Sequence, residues 1–368
     1  MSSLYQEYLI SPRHGFLPEI EPLLRLPRYY VAWDELGYNL PDIVTADILK
    51  KEVSKLPIIS PDKLGSHLAY ERAMMVLSFI SHAYLNDPNE PRKILPEALA
   101  VPWSKVAKRL DRPPVLSHAS AVLHNWSLIY PDQPISLNNL AVLQRYKGGI
   151  DEAWFFLVTV MIEYQGAHLI NNTLQCFDAI TNDIDQSLTL LDQIIEGVKD
   201  ITTTLSRMVE QCDPHVFYTQ TRPFLATLDS VVYEGVSTEP QHWLGGSAAQ
   251  SSLIQMLDIA FGVMHKEEKS SAFLILMRAY MPLQHRLFLE YLESIPNLKS
   301  LAKHDDQLEK ISGIHTELLN FRGEHLKIFH RYIAAQSKKV GPGDTGTGGT
   351  DAGAFLKQVK MDTQLPSK

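Results

Sequence analysis

The stretch from Glu152 to Asp178 constrains the fold more than any other part of the chain, because it is strongly apolar over a length that only a helix accommodates. A helix of that character must be enclosed by other elements, and the neighbouring sequence supplies them. Helical patterns run from about Ile43 to Lys55, Lys63 to Leu85, Ser117 to Tyr130, Ile184 to Gln211, Ser251 to Met264, Ser270 to Ser294 and Asp306 to Gln336. Within Ile184–Gln211, Leu188, Leu191, Ile195, Val198 and Ile201 share one face. Few segments alternate with period two, so the expected class is all-α.

Between these patterns the chain is punctuated. Residues 11–45 carry Pro12, Pro18, Pro22, Pro27 and Pro41 among aromatics, which suggests an extended segment wrapped over a surface. Pro88, Pro91, Pro96 and Pro102 interrupt the next region, Pro223 stops a short helix from Pro214 to Thr227, and Ser230–Gln250 reads as a long loop. Tyr146–Asp151 reads as a loop dividing a smaller N-terminal part, 1–147, from a larger helical part, 148–368. The last 30 residues hold a glycine-rich loop, 340–351, before a short terminal helix that starts at Phe355.

Composition narrows the function. A net charge of −8 with no Lys/Arg-rich block argues against nucleic acid as a partner. Cys176 and Cys212 are too few for a disulfide framework or a Cys-based zinc site, and they suit a reducing compartment. No signal peptide is evident at Met1–Tyr8, and no uninterrupted apolar stretch reaches the roughly 18 residues of a membrane span, so a cytoplasmic protein is expected. Asn125-Trp126-Ser127 and Asn171-Asn172-Thr173 match the glycosylation triplet, which without secretion is idle.

Few residues carry candidate chemistry. Gly341–Gly346 contains a G-x-G-x-x-G, but it follows a helix instead of a strand and opens no βαβ unit. No His-Glu-x-x-His run and no nucleophile elbow occur. His325 is different. Helical spacing puts it on a stripe with Leu318, Phe321, Ile328 and Tyr332, where an imidazole needs a partner: a carbonyl or carboxylate, a metal, or a haem iron. Trp154-Phe155-Phe156-Leu157-Val158-Thr159 is an aromatic run ending in a hydroxyl. Phe217–Pro223 brings Arg222 near aromatics, where a buried guanidinium would receive a carboxylate.

Taken together, these segments resemble the indoleamine 2,3-dioxygenase family. The resemblance runs from Gly15-Phe16-Leu17-Pro18 through Trp126, Phe155-Phe156-Leu157-Val158 and Val232-Tyr233-Glu234-Gly235. It continues through Gly245-Gly246-Ser247-Ala248, Met277–Pro282 with His285-Arg286, Arg322-x-x-His325 and Gly346–Asp351, to Phe355-Leu356-Lys357. It implies a haem b enzyme that adds O2 across the indole C2–C3 bond of L-tryptophan to give N-formylkynurenine. It also implies an electron donor that keeps the iron ferrous, and a monomer.

By position, the resemblance implies that His325 is the proximal iron ligand, with Asp258 near that side and Arg322 at a haem propionate. Phe155 and Phe217 would sandwich the indole, and Arg222 would take the substrate carboxylate. Ser247 and Ala248 would lie over the haem edge, with Thr347 near the substrate ammonium and carboxylate. Thr159 stands where some members have serine, keeping a hydroxyl but narrowing the distal side. His118 stands where relatives have tyrosine at the back of the indole pocket. An oxygen-binding or haem-sensing protein on the same fold, or a dioxygenase for another indole, are the alternatives.

Overall fold

The structure, a computed structural model, describes residues 2–340 and 351–364. Its centre is the helix Ile150–Asn182, of 33 residues, with Trp154, Phe156, Val160 and Ile170 among its buried side chains. Gly149 at φ +94° leads into it. Inside its first turn the buried Glu152 carboxylate accepts from the backbone N–H groups of Tyr146 (2.7 Å), Lys147 (3.2 Å) and Gly148 (3.1 Å). This helix is long and apolar enough to cross a membrane, yet 61% of its most apolar window is buried against the rest of the protein. The expected enclosed helix is present and starts two residues earlier than the pattern indicates.

Asp183 ends that helix and caps the next, accepting from Gln186 N at 3.0 Å, so that Ile184–Ser206 folds back along it. The helix Asp305–Phe329 packs on Ile184–Ser206, which makes a three-helix stack. The approach is close: a Cβ on Gly166 would fall 2.6 Å from Leu253, on the helix Ser252–Phe261. The N-terminal segment crosses the other side at Gly15, whose φ of +66° is in the left-handed region and whose missing Cβ would meet Ala167 N at 2.9 Å. The apolar core is continuous from Ile10 to Tyr332.

Helices dominate, as expected, but several boundaries differ. Residues 11–45 are not simply extended: Val31–Tyr38 and Leu40–Thr45 are helical. Glu97–Arg109 is a helix where prolines predicted a break, with Pro96 before its first residue and Pro102 inside it. Burial of Leu99, Trp103 and Val106 outweighs the hydrogen bond that Pro102 cannot make. Ser117–Tyr130 is not one helix but a π-turn, Ala119–Leu123, followed by Ser127–Leu128 paired antiparallel with Leu140–Ala141.

The long loop 230–250 also contains structure. Leu228–Tyr233 pairs parallel with Ile94–Leu95 and antiparallel with Gln241–Trp243. Pro282 divides the expected helix 270–294 into Glu268–Arg278 and Leu283–Glu293. The helix that carries His325 widens into a π-turn at His330–Ala334, and the chain closes with the helix Ala352–Asp362.

Candidate active site

These elements surround a cavity of about 1220 Å³, its open mouth included. The cavity brings together most of the residues singled out in the sequence: His118, Phe155, Thr159, Phe217, Arg222, Ser247, Ala248 and His325. Thr347 lies outside the described residues. Arg322 and Asp258 are not among the lining residues.

Phe155 and Phe217 face each other with ring centroids 4.4 Å apart and planes tilted by 37°. Tyr332 meets Phe217 edge-on at 5.8 Å. Phe217 stands on a π-turn, Phe217–Thr221, and the Arg222 guanidinium that follows lies over the Tyr218 ring, 5.0 Å from its centroid. Thr159, one turn after Phe155, donates its hydroxyl to the Phe155 carbonyl at 3.1 Å, so its proton is already engaged. Three π-turns contribute to the wall, at 119–123, 217–221 and 330–334. Such turns recur at functional sites because the extra residue pushes the backbone outward.

Ser247 and Ala248 are held by Gln250. Its side-chain oxygen accepts from His118 N at 2.9 Å and Ser247 N at 3.4 Å, while its amide donates to Gly245 O at 3.0 Å. His118 is further fixed through Nε2, 2.9 Å from Glu163 Oε1, and Ser251 Oγ donates to the same oxygen at 2.6 Å. Glu163 is a site residue that sequence reasoning missed. The signal was available: between residues 153 and 177 it is the one acid in an uncharged run, one turn beyond Thr159.

His325 makes no side-chain hydrogen bond among the described residues, although it sits on the cavity wall. Burial first, then the neighbouring Arg322 charge, push its pKa down to about 4, so near neutral pH it presents a neutral ring with a free lone pair. Arg322 itself points away. Its Nη2 lies 2.6 Å from both Asp258 oxygens, and its Nη1 donates to Thr363. The Arg322 charge and a hydrogen bond from His265 hold the Asp258 carboxyl below its ordinary range in spite of burial.

Among the described residues, no group of three or more His, Cys, Asp or Glu could hold a metal ion. A bare ion needs several protein donors, whereas one imidazole on an apolar wall fits an iron whose other ligands would come from its own macrocycle. The elements and the wall define a helical protein with the His325 imidazole on an apolar-walled cavity.

The family is decided by comparison. The family model described as indoleamine 2,3-dioxygenase matches residues 4–366. The chain is 34% identical to indoleamine 2,3-dioxygenase 2 of Homo sapiens, covering 97% of this chain and 94% of that one. It is 33% identical to indoleamine 2,3-dioxygenase 1 of Rattus norvegicus, with 98% and 95% covered. It is 31% identical to the Saccharomyces cerevisiae indoleamine 2,3-dioxygenase, with 97% and 92% covered. The chain belongs to the indoleamine 2,3-dioxygenase family.

Proposed function

We propose that this protein is a haem-dependent dioxygenase that opens the indole ring of L-tryptophan with O2 to give N-formylkynurenine. The observation that carries this reading is His325, without a side-chain hydrogen bond among the described residues, in the same cavity as the Phe155–Phe217 pair and Arg222. His325 would hold the iron of haem b. When bound, that group supplies the oxygen binding and redox chemistry.

The chain's own residues do the rest. Phe155 and Phe217 offer flat apolar faces to an indole. Arg222 offers a guanidinium to the substrate carboxylate, a charged hydrogen bond of roughly 1.5–3 kcal/mol or about 10–150-fold in affinity. Ser247 and Ala248, fixed through Gln250, would help hold the haem, and Thr347 would serve the substrate's polar end. Arg322 and Asp258 act from behind the wall, orienting the helix of His325. Apolar walls keep water from the reacting atoms. The same reading carries an electron donor, a monomeric state, a cytoplasmic location and division of the chain at 147/148.

The comparisons do not favour a dioxygenase for another indole, on which one feature of the wall bears. His118, braced by Glu163, places a polar ring on a largely apolar wall where it would favour a substituent that hydrogen-bonds.

The test is direct: load the purified protein with haem, reduce it, add tryptophan in air and follow product absorbance. N-formylkynurenine accumulation is expected. A reduced, haem-loaded protein that forms no product from tryptophan or any other indole would overturn the reading.

A further inference from the structure

We propose that His265 is a positioning residue: it latches the C-terminal helix, and with it one wall of the cavity, onto the helix that carries His325. The inference rests on the reading of that cavity as the substrate site. His265 belongs to the connection between the helices Ser252–Phe261 and Glu268–Arg278. Its Nε2 hydrogen-bonds Asp258 Oδ2 at 3.0 Å, and its Nδ1 lies 3.5 Å from Asp362 Oδ2, an ion-pair distance at which neither of these two buried atoms has a hydrogen-bond partner among the described residues. Asp258 is in turn bound by Arg322, which also donates to Thr363. All four charged or ionisable side chains are enclosed: Asp258 and Arg322 are 7% exposed, Asp362 5% and His265 11%.

The members come from different elements, which is what makes the cluster a latch. Asp258 comes from the helix Ser252–Phe261, Arg322 from the helix of His325, and Asp362 from the terminal helix, with Thr363 at its end. A neutral imidazole can donate to one acid, and a protonated one to both. Among the described residues, Arg322 and His265 are the bridging groups that join the terminal helix to Asp258. Asp362 Oδ1 is occupied separately, by Gln358 of its own helix at 3.0 Å.

The opposite end of the terminal helix reaches the cavity. Ala352, Phe355 and Leu356 line it, and the Phe355 ring packs 4.8 Å from that of Phe273. Val359 is buried between the two ends. A helix held at 362–363 thus presents a fixed wall at 352–356, and slackening the hold loosens the wall without touching His325 or Arg222. The effect belongs in substrate binding more than in the chemical step.

The experiment uses the haem-loaded full chain with three variants: Asp362→Asn, His265→Gln (which keeps a donor for Asp258) and the double variant. Three quantities are read: KM and kcat for tryptophan, the Soret spectrum, and deuterium uptake over 352–362 against 305–329. Each single change should raise KM about fivefold, with kcat and the Soret band held and faster exchange confined to 352–362. The double variant should be no worse than the stronger single one, because both break one link. Unchanged KM and exchange in both singles, additive effects in the double, or kcat and haem content falling in step with KM would each overturn the proposal. If the unmodified protein turns over no indole, the dioxygenase reading fails, and the exchange data decide the latch alone.

Discussion

The front and the back of the helix Asp305–Phe329 treat polar side chains in opposite ways. At the front, His325 faces an apolar cavity with no hydrogen bond among the described residues, and burial drives its pKa down to about 4. One turn earlier and only about 60° round the same helix, the Arg322 side chain turns aside to what serves here as the back, where Asp258 and Thr363 take up its guanidinium. Partners at the back make a structural tie, and the lack of them at the front, among the described residues, leaves open the imidazole proposed above as the haem ligand. Position in sequence does not tell the two apart, because both residues lie on one helix three positions apart.

This contrast can be broken most severely at His325. His325→Ala should abolish haem retention and turnover while leaving the helical circular dichroism intact, since a cavity-facing ring holds little of the fold. Retention of the Soret band would remove the ligand assignment. Asp258→Asn attacks the back instead. It leaves the Arg322 charge buried without its acid and should cost about 3–5 kcal/mol of stability in denaturant unfolding. An unchanged midpoint would show that the back is not the structural side.

Glu152 sharpens the comparison, because it is a buried acid with amides instead of a cation. Burial raises its pKa to about 7 against three opposing backbone hydrogen bonds, whereas Asp258, beside Arg322, is lowered. The folded state therefore holds the Glu152 proton more tightly than the unfolded chain does. Stability from this group is full below about pH 4.5, is lost as pH rises toward about 7, and amounts to at most about 3 kcal/mol. Asp258 has the opposite sign: its contribution is present above the ordinary carboxylate range and is lost on acidification. In Glu152→Gln the decline between pH 4.5 and 7 should flatten, as read from urea midpoints across that range. A smaller effect belongs to Arg222→Ala at the front, where KM for tryptophan should rise about 10–150-fold with stability nearly unchanged. An unaltered KM would move the carboxylate elsewhere.

Much of this was legible in the sequence. The enclosed helix, the all-α class and the cavity residues from His118 to His325 follow from apolar patterning and from the family resemblance. What patterning missed has physical causes. Pro102 should have broken a helix, but Leu99, Trp103 and Val106 bury a face strong enough to carry it. The π-turns have no period of their own, so a count by 3.6 runs straight through His330. The direction of Arg322 depends on Asp258, 64 residues away, and no local rule supplies that. Thr347 lies outside the described residues, so its place rests on the resemblance alone.

The π-turns also set how such a pocket can be altered. Each winds one residue more into its turn than an α-helix, so the bulge arises from residue count and not from side-chain size. Substitution at Tyr332 or Phe217 trims the lining but keeps the hollow. Removing a single residue from 330–334 would restore α winding with the downstream helix nearly in register, and would erase the bulge by which Tyr332 and Ile333 reach the wall. Chain length within these five residues is held as tightly as residue identity, and the cavity is a matter of register.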